Sequence, residues 1–158
     1  MREILFRGKR LSNGEWIEGW YYQKPNVLTR DGEPVKHFIS DLPPFGAEID
    51  PATVGQYTGL KDKSGKRIFE GDVVKATHTI HFPDEEQHLP RRAYGANYTD
   101  RGEYVYARNY AVKWNEKSAR WEIRNGSDGG RIDANYIYNH GIEVIGNIHD
   151  NSELLKEG

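Results

Sequence analysis

Large side chains on alternate positions are the dominant pattern along this chain of 158 residues. Aromatic residues recur on every second or fourth position from Trp16 to Tyr22 and again from Tyr104 to Trp114. No window of eleven or more residues keeps a helical rhythm, because Gly or Pro interrupts nearly all of them. Since successive side chains of a strand point to opposite faces, the pattern predicts an all-β protein.

Residues 1–52 are predicted to form an N-terminal region of β-hairpins. Asn13-Gly14 separates two alternating runs, and Asn-Gly favours a two-residue turn with positive φ at both positions. Asp31-Gly32 predicts a second hairpin, between Val27–Arg30 and Val35–Ile39. Asp50 before Pro51 predicts a one-turn helix, with Asp50 as its cap.

Residues 53–155 are predicted to form an SH3-like small barrel that makes one compact unit with the first region. Short strands separated by tight turns are typical of this architecture. A single helical turn is expected at Asn135–Tyr138, before the last strand, and a Gly-rich loop after Arg124. The five predicted strands or hairpins are Gln56–Leu60 with Arg67–Phe69, Val73–Lys75, Tyr104–Trp114, Arg120–Arg124 and Glu143–Ile148.

An insertion at residues 76–103 is too long for an ordinary loop. The alternation continues into it from both sides, which predicts an extended two-stranded arm of roughly 35 Å, at ~3.3 Å per residue. One face of the arm would carry Val74, Ala76, His78, Ile80 and Phe82, answered by Tyr104, Tyr106, Arg108, Tyr110 and Val112. The alternative is a flexible surface insertion.

Composition narrows the function classes. The chain carries 22 Lys and Arg against 24 Asp and Glu, a formal net charge of −2, which excludes a globally basic nucleic-acid coat. It has no Cys, so zinc fingers, disulfide frameworks and thiol nucleophiles are excluded. Its first 30 residues contain no long apolar run, so we expect neither a signal peptide nor a membrane span, and a cytoplasmic location.

Four stretches of the chain form a recognisable set: ILFRGK (Ile4 to Lys9), NGEWIEGWY (Asn13 to Tyr21), TVGQYTGLKDKSGKRIFEGDVV (Thr53 to Val74) and EVIGNIHDNSELL (Glu143 to Leu155). Together they resemble YopX, a family of small proteins encoded by bacteriophages and prophages. The resemblance implies a mostly β fold with an SH3-like barrel and a phage or prophage origin, and it brings no catalytic residues with it. Residues 22–50 and 76–140 match no motif of the family.

The central stretch fails as a phosphate-binding loop of the Walker type. Five residues separate Gly59 from Gly65 where the motif needs four, and Arg67 stands where a hydroxyl would hold Mg²⁺. The loop also joins two predicted strands instead of opening a helix. What remains is a basic turn whose candidate phosphate contacts are Lys61, Lys63, Lys66 and Arg67; the alternative is a plain solvated turn.

Metal and catalytic sites are not expected, and neither is a cofactor. His78, His81 and His88 lie near three carboxylates at residues 84–86, but His78 and His81 point to opposite faces of a strand. Only a folded-back tip would bring His81, Asp84 and His88 together. No nucleophile elbow is present, and adjacent carboxylates usually indicate solvation. We therefore expect a protein that is not an enzyme.

Two functional classes remain open. The first is a non-enzymatic phage accessory module that binds itself or a phage or host protein, most simply as a dimer. Its predicted interaction surface is Ile80, Phe82, Tyr104, Tyr106 and Tyr110. The second, less favoured, is a nucleic-acid-binding protein that uses the basic turn, the cations Arg2, Arg7, Lys9 and Arg10, and aromatic stripes that stack on bases. The alternative for those stripes, the more common one in a small barrel, is that they form its core.

Overall fold

The computed structural model describes residues 3–24, 35–42, 45–81 and 103–156. These residues form eleven strands in two antiparallel sheets, with one α-helix, so the prediction of an all-β protein is confirmed. The SH3-like barrel stays a prediction. The strands are β1 (Phe6–Lys9), β2 (Trp16–Lys24), β3 (Lys36–Leu42), β4 (Phe45–Glu48), β5 (Gly55–Lys61), β6 (Arg67–Phe69), β7 (Asp72–His81), β8 (Glu103–Asn115), β9 (Arg120–Asn125), β10 (Asp128–Arg131) and β11 (Glu143–Asn147), and the helix is α1 (Ala134–His140).

The first sheet has six strands in the order β4-β3-β2-β1-β5-β6. The predicted hairpin of β1 and β2 is present, but its connection differs from the prediction. It is a four-residue loop from Leu11 to Gly14, closed by a bond from the Gly14 amide to the Arg10 carbonyl at 2.9 Å. In this loop only Gly14 has a positive φ, of 73°, and the Asn13 side chain accepts from the Glu15 amide at 3.1 Å.

The third strand pairs with β2 over Lys36–Ser40, from Trp20↔Ser40 to Lys24↔Lys36, and with β4 at its other edge. The hairpin partner predicted for this strand was Val27–Arg30, but β2 takes that place; Val27–Arg30 lie outside the described residues. Gly19 permits this pairing, since a Cβ at that position would lie 2.2 Å from the Ser40 carbonyl oxygen. The predicted cap at Asp50 is confirmed: its side chain accepts from the Ala52 amide at the start of a 3₁₀ turn, Pro51–Thr53.

The second sheet has five strands in the order β10-β9-β8-β7-β11. Its inner face packs with α1 and β6 in one apolar core. The sequence reading missed β10, because Gly-rich sequence indicates a loop, yet Asp128–Arg131 pairs with β9. The helix covers two turns where one was predicted, and Asp133 caps it by accepting from the Tyr136 amide at 2.8 Å. The core residues are Ile68, Val74, Ala76, Tyr110, Val112, Trp121, Ile123, Ile132, Ile137, Ile142 and Val144. No helix in the described part of the chain is long and apolar enough to cross a membrane.

A buried ion pair joins the two sheets. Arg7 of β1 contacts Asp72, the first residue of β7, with 2.6 Å between nitrogen and oxygen. The two side chains are only 12% and 1% exposed. The Arg7 guanidinium also lies over the rings of Trp16 and Phe69, at 4.7 and 5.0 Å from the ring centroids. The second oxygen of Asp72 accepts from the Phe69 amide at 2.7 Å, which fixes the corner between β6 and β7.

A second joint ties the N-terminal hairpin to the end of the chain. Asp150 pairs with Lys9 and accepts from the Trp16 indole at 2.8 Å and from Asn147 at 2.8 Å. These hydrogen bonds, led by the one from Asn147, hold the pKa of Asp150 well below its ordinary value. Arg7, Lys9, Trp16, Asp72 and Asp150 come from all four stretches that resemble YopX. Those stretches therefore meet where the two sheets are joined.

The turn between β5 and β6 is built around the buried carboxylate of Asp62. One oxygen accepts from the Ser64 amide and hydroxyl and from the Lys66 amide, all within 2.9 Å. The other accepts from the Val144 amide of β11 at 3.1 Å. Burial raises the pKa of Asp62, but these hydrogen bonds outweigh it and the net shift is downward. The basic turn is therefore fixed to the second sheet.

Replacing Asp72 with Ala is expected to lower the free energy of unfolding by about 3–5 kcal/mol, because it leaves the buried charge of Arg7 without its partner. Urea denaturation measures the change. The matched control is Glu48→Ala, which breaks the exposed pair of Lys36 with Glu48 and should cost no more than about 1 kcal/mol. Equal losses in the two variants would show that the buried pair has no special role.

Replacing Asp62 with Asn should cost about 2 kcal/mol or more at neutral pH, because the carboxylate accepts four hydrogen bonds that the amide cannot all replace. The folded-state pKa lies below the ordinary 3.8, so the stabilisation is complete above that value and is lost as the pH falls through the folded pKa. The difference between parent and variant, followed by urea denaturation, should therefore shrink in acid. A difference that stays constant with pH contradicts this account.

Candidate functional site

The first candidate surface is the distal part of the β7–β8 pair, residues 76–81 with 103–108, which we call the ribbon. Its register places His78 opposite Tyr106 and Ile80 opposite Tyr104, as the alternation predicts. Pairing is described as far as His81↔Glu103, and Phe82 and the rest of the insertion lie outside the described residues. One face of the ribbon continues the apolar core outward from Val74 and Ala76.

Rings from the ribbon and α1 cluster around His78. Its imidazole stacks on Tyr106 with 5.0 Å between centroids, and His140 of α1 lies 4.9 Å away. Tyr136 packs against His140 in turn, at 4.2 Å. Burial lowers the pKa of His78, and the neighbouring His140 lowers it further. The helix thus covers the base of the ribbon, while Ile80 further out is 44% exposed.

Tyr110 is part of the core and does not lie on a surface. Its side chain is 2% exposed, and its hydroxyl donates to Asp128 at 3.0 Å and lies 3.2 Å from His78 Nε2. Burial, together with Asp128, raises the pKa of Tyr110 far above its ordinary value. The reading of the aromatic stripe as core is therefore right for Tyr110. The partnership of Tyr110 with Asp128 could not be predicted from the sequence, because Asp128 lies in a Gly-rich segment whose pattern predicts a loop.

The second candidate site is a pocket of about 300 Å³ on the first sheet, which we call the basic pocket. Three of the four predicted phosphate contacts line it: Lys61, Lys66 and Arg67. Lys61 lies opposite Arg67 in the β5–β6 pairing. Arg7 reaches the same pocket from β1, and Glu18, Gly65 and Phe69 complete the lining.

Lys63, the fourth predicted phosphate contact, points elsewhere. Its ammonium pairs with Glu143 of β11 at 2.6 Å, and it does not line the basic pocket. Spacing along the turn could not show this, because Glu143 is 80 residues away in sequence. The turn joins β5 to β6, as predicted, and does not precede a helix as a Walker-type loop would.

The aromatic residues proposed to stack on bases have different surroundings. Trp16 is held by Asp150 and Arg7. Trp20 is 54% exposed and lines a depression that shares Glu18 and Arg67 with the basic pocket. Of the first stripe, Trp20 is therefore the ring that lies both exposed and next to cations.

The histidines assemble no metal site in the part of the chain that the structure describes. Within it, no three His, Cys, Asp or Glu side chains come together in a way that could hold an ion. His81 lies 3.2 Å from Glu103, its neighbour across the ribbon. His88 and Asp84, the other members of the predicted cluster, lie outside the described residues.

Known proteins resemble this chain in fold and in sequence. The crystal structure of protein EF1440 from Enterococcus faecalis aligns with a TM-score of 0.51 and 22% identity, covering 98% of this chain and 99% of that one. At this identity the likeness shows the fold alone. Among curated proteins there is no match.

The family comparison covers nearly the whole chain. The model of the family described as "YopX protein" matches residues 5–156, a range that includes the insertion as well as the four stretches noted in the sequence. The chain therefore belongs to the YopX family.

Proposed function

We propose that this protein is a phage or prophage accessory module that works by binding, without catalysis, in the cytoplasm of the bacterial host, and that it forms a dimer through the ribbon. The observation that carries the proposal is the ribbon itself. In the ribbon the β7–β8 pair extends beyond the other strands of the second sheet, and one of its faces continues the apolar surface of the core.

The backbone edges of the ribbon support self-association. β11 pairs with β7 only from Asp72 to Lys75, and β9 pairs with β8 only from Ala111 to Asn115. The six residue pairs beyond, a length of about 20 Å, have no third strand on either side among the described residues. One backbone acceptor of this stretch, the Thr77 carbonyl, is already bonded to His140 of α1 at 3.2 Å, so the open edge of β7 lies beyond Thr77. Edges without a third strand offer backbone donors and acceptors that favour pairing with another chain.

The apolar face of the ribbon supports the same conclusion. Ile80 is 44% exposed, and it lies beside Tyr104 and Tyr106, whose rings stack with 5.7 Å between centroids. Burying such side chains contributes roughly 25 cal/mol per Å² of apolar surface. A partner that covers this face therefore gains hydrophobic stabilisation in addition to hydrogen bonds at the edge.

A second copy is the partner that the geometry favours. An antiparallel edge is self-complementary, so one strand pairs with its own copy across a two-fold axis and the contact closes as a dimer. The strongly shifted carboxyl of Glu122 has structural partners: hydrogen bonds from Asn115, Arg124 and Arg120, the first having the largest effect, lower its pKa to about 2. This assignment supports binding over catalysis.

Multi-angle light scattering on the intact chain should give twice the 18.2 kDa of one copy. Ile80→Glu should give a monomer, because it places a charge in the proposed interface. The matched control is Leu11→Glu, since Leu11 is also an aliphatic residue, 61% exposed, and lies in the β1–β2 loop. That control should remain a dimer.

A shortened chain tests the ribbon as a whole. Joining Thr79 to Val105, which face each other in the pairing, by Asn-Gly removes the distal ribbon and keeps the His78–Tyr106 stack. This variant should be a folded monomer by circular dichroism and light scattering. A monomeric intact chain, or a shortened chain that is still a dimer, refutes the proposal.

A further inference from the structure

The basic pocket holds more positive charge than its own neighbours balance. Arg7 is paired with Asp72, and Arg67 with Glu3 and Glu18 at 3.1 and 3.2 Å. Lys61 and Lys66 line the same pocket and make no ion pair with any carboxylate in the described residues. Both lysines therefore line the pocket without a carboxylate in ion-pair contact, although the charge of Lys66 acts on Asp72 from a distance.

The cations of the pocket stand on a rigid frame. The Asp62 carboxylate fixes the turn between Lys61 and Lys66 by bonds to the Ser64 and Lys66 amides. Arg67 is held in place by its two glutamates. A site of this kind needs little rearrangement to receive a ligand, which favours affinity.

Arg7 adds a buried donor beneath the exposed lysines. Its guanidinium is held over Phe69 and bonded to Asp72, yet its Nε has no acceptor among the residues that the structure describes. A buried polar group without a partner is uncommon and costs free energy. The pocket thus combines two arginines held by carboxylates with two exposed lysines, and such a set of cations can recognise an oxyanion.

We propose that the basic pocket binds the phosphate group of a phosphorylated ligand, with Lys61 and Lys66 as its principal contacts. A phosphate carries up to two negative charges and three terminal oxygens, enough for both ammonium groups and an arginine. The pocket, at about 300 Å³, has room for more than the phosphate itself. The phosphate comes either from a free nucleotide or polyphosphate or from a nucleic-acid backbone. The pocket lies on the first sheet and the ribbon belongs to the second, so this proposal does not depend on the proposed dimer.

The test uses the full chain with two probes, tripolyphosphate and a fluorescein-labelled single-stranded oligothymidylate. Calorimetry measures the first and fluorescence anisotropy the second. Removing both lysines (Lys61→Gln with Lys66→Gln) should weaken binding at least about tenfold, since each loses a charge-assisted hydrogen bond. Both side chains are exposed, so the variant should fold, and each single change gives a second measurement.

The matched control is Lys63→Gln, which removes the same charge from the same turn but outside the pocket. It should change affinity no more than about twofold, because only a long-range attraction, largely screened by salt, is lost. Tripolyphosphate bound without the oligonucleotide identifies a free phosphorylated ligand. Oligonucleotide bound more tightly, with affinity falling steeply in salt, identifies a nucleic-acid backbone. No binding of either probe, or an equal loss in the Lys63 control, overturns the proposal.

Discussion

The ion pair of Arg7 with Asp72 is the contact on which the arrangement of the two sheets depends. It connects β1 of the first sheet to the start of β7 in the second, and it is almost completely buried. Burial of two charges is favourable only when geometry and further hydrogen bonds compensate the loss of water. Here the Trp16 and Phe69 rings around the guanidinium and the Phe69 amide that binds the carboxylate compensate part of that loss, while burial still raises the pKa of Asp72. The stretches that resemble YopX supply all of these groups.

Local signals in the sequence predicted most of the strands and much of their pairing. The cap at Asp50 was confirmed because the groups involved are neighbours in the chain. Alternation alone predicted which side chains of β7 and β8 share a face, since a period of two assigns alternate residues to one side; the register that places His78 opposite Tyr106 comes from the structure. β10 was missed because its stability comes from pairing with β9, and glycine has no strand preference of its own.

The site was harder to predict than the fold, because it depends on partners far away in sequence. Lys63 and Lys66 are alike in sequence, yet one is neutralised by Glu143 and the other lines the basic pocket. Asp62 is the residue that builds the same turn, and its contact with the Val144 amide joins positions 82 residues apart in sequence.

The hydrogen bond between Asp62 and the Val144 amide affects when the backbone of the turn loses its conformational entropy. A turn that carries lysines is commonly mobile, and a ligand must then order it at a cost of roughly 1–2 kcal/mol for each backbone residue fixed. Here the carboxylate of Asp62 orders the backbone of the turn when β5, β6 and β11 assemble. The conformational entropy of the turn backbone is therefore lost during folding, and only the lysine side chains become ordered when a ligand binds. Asp62, which fixes the β5–β6 hairpin to the second sheet, therefore also reduces the backbone entropy that is lost when a ligand binds at the first sheet.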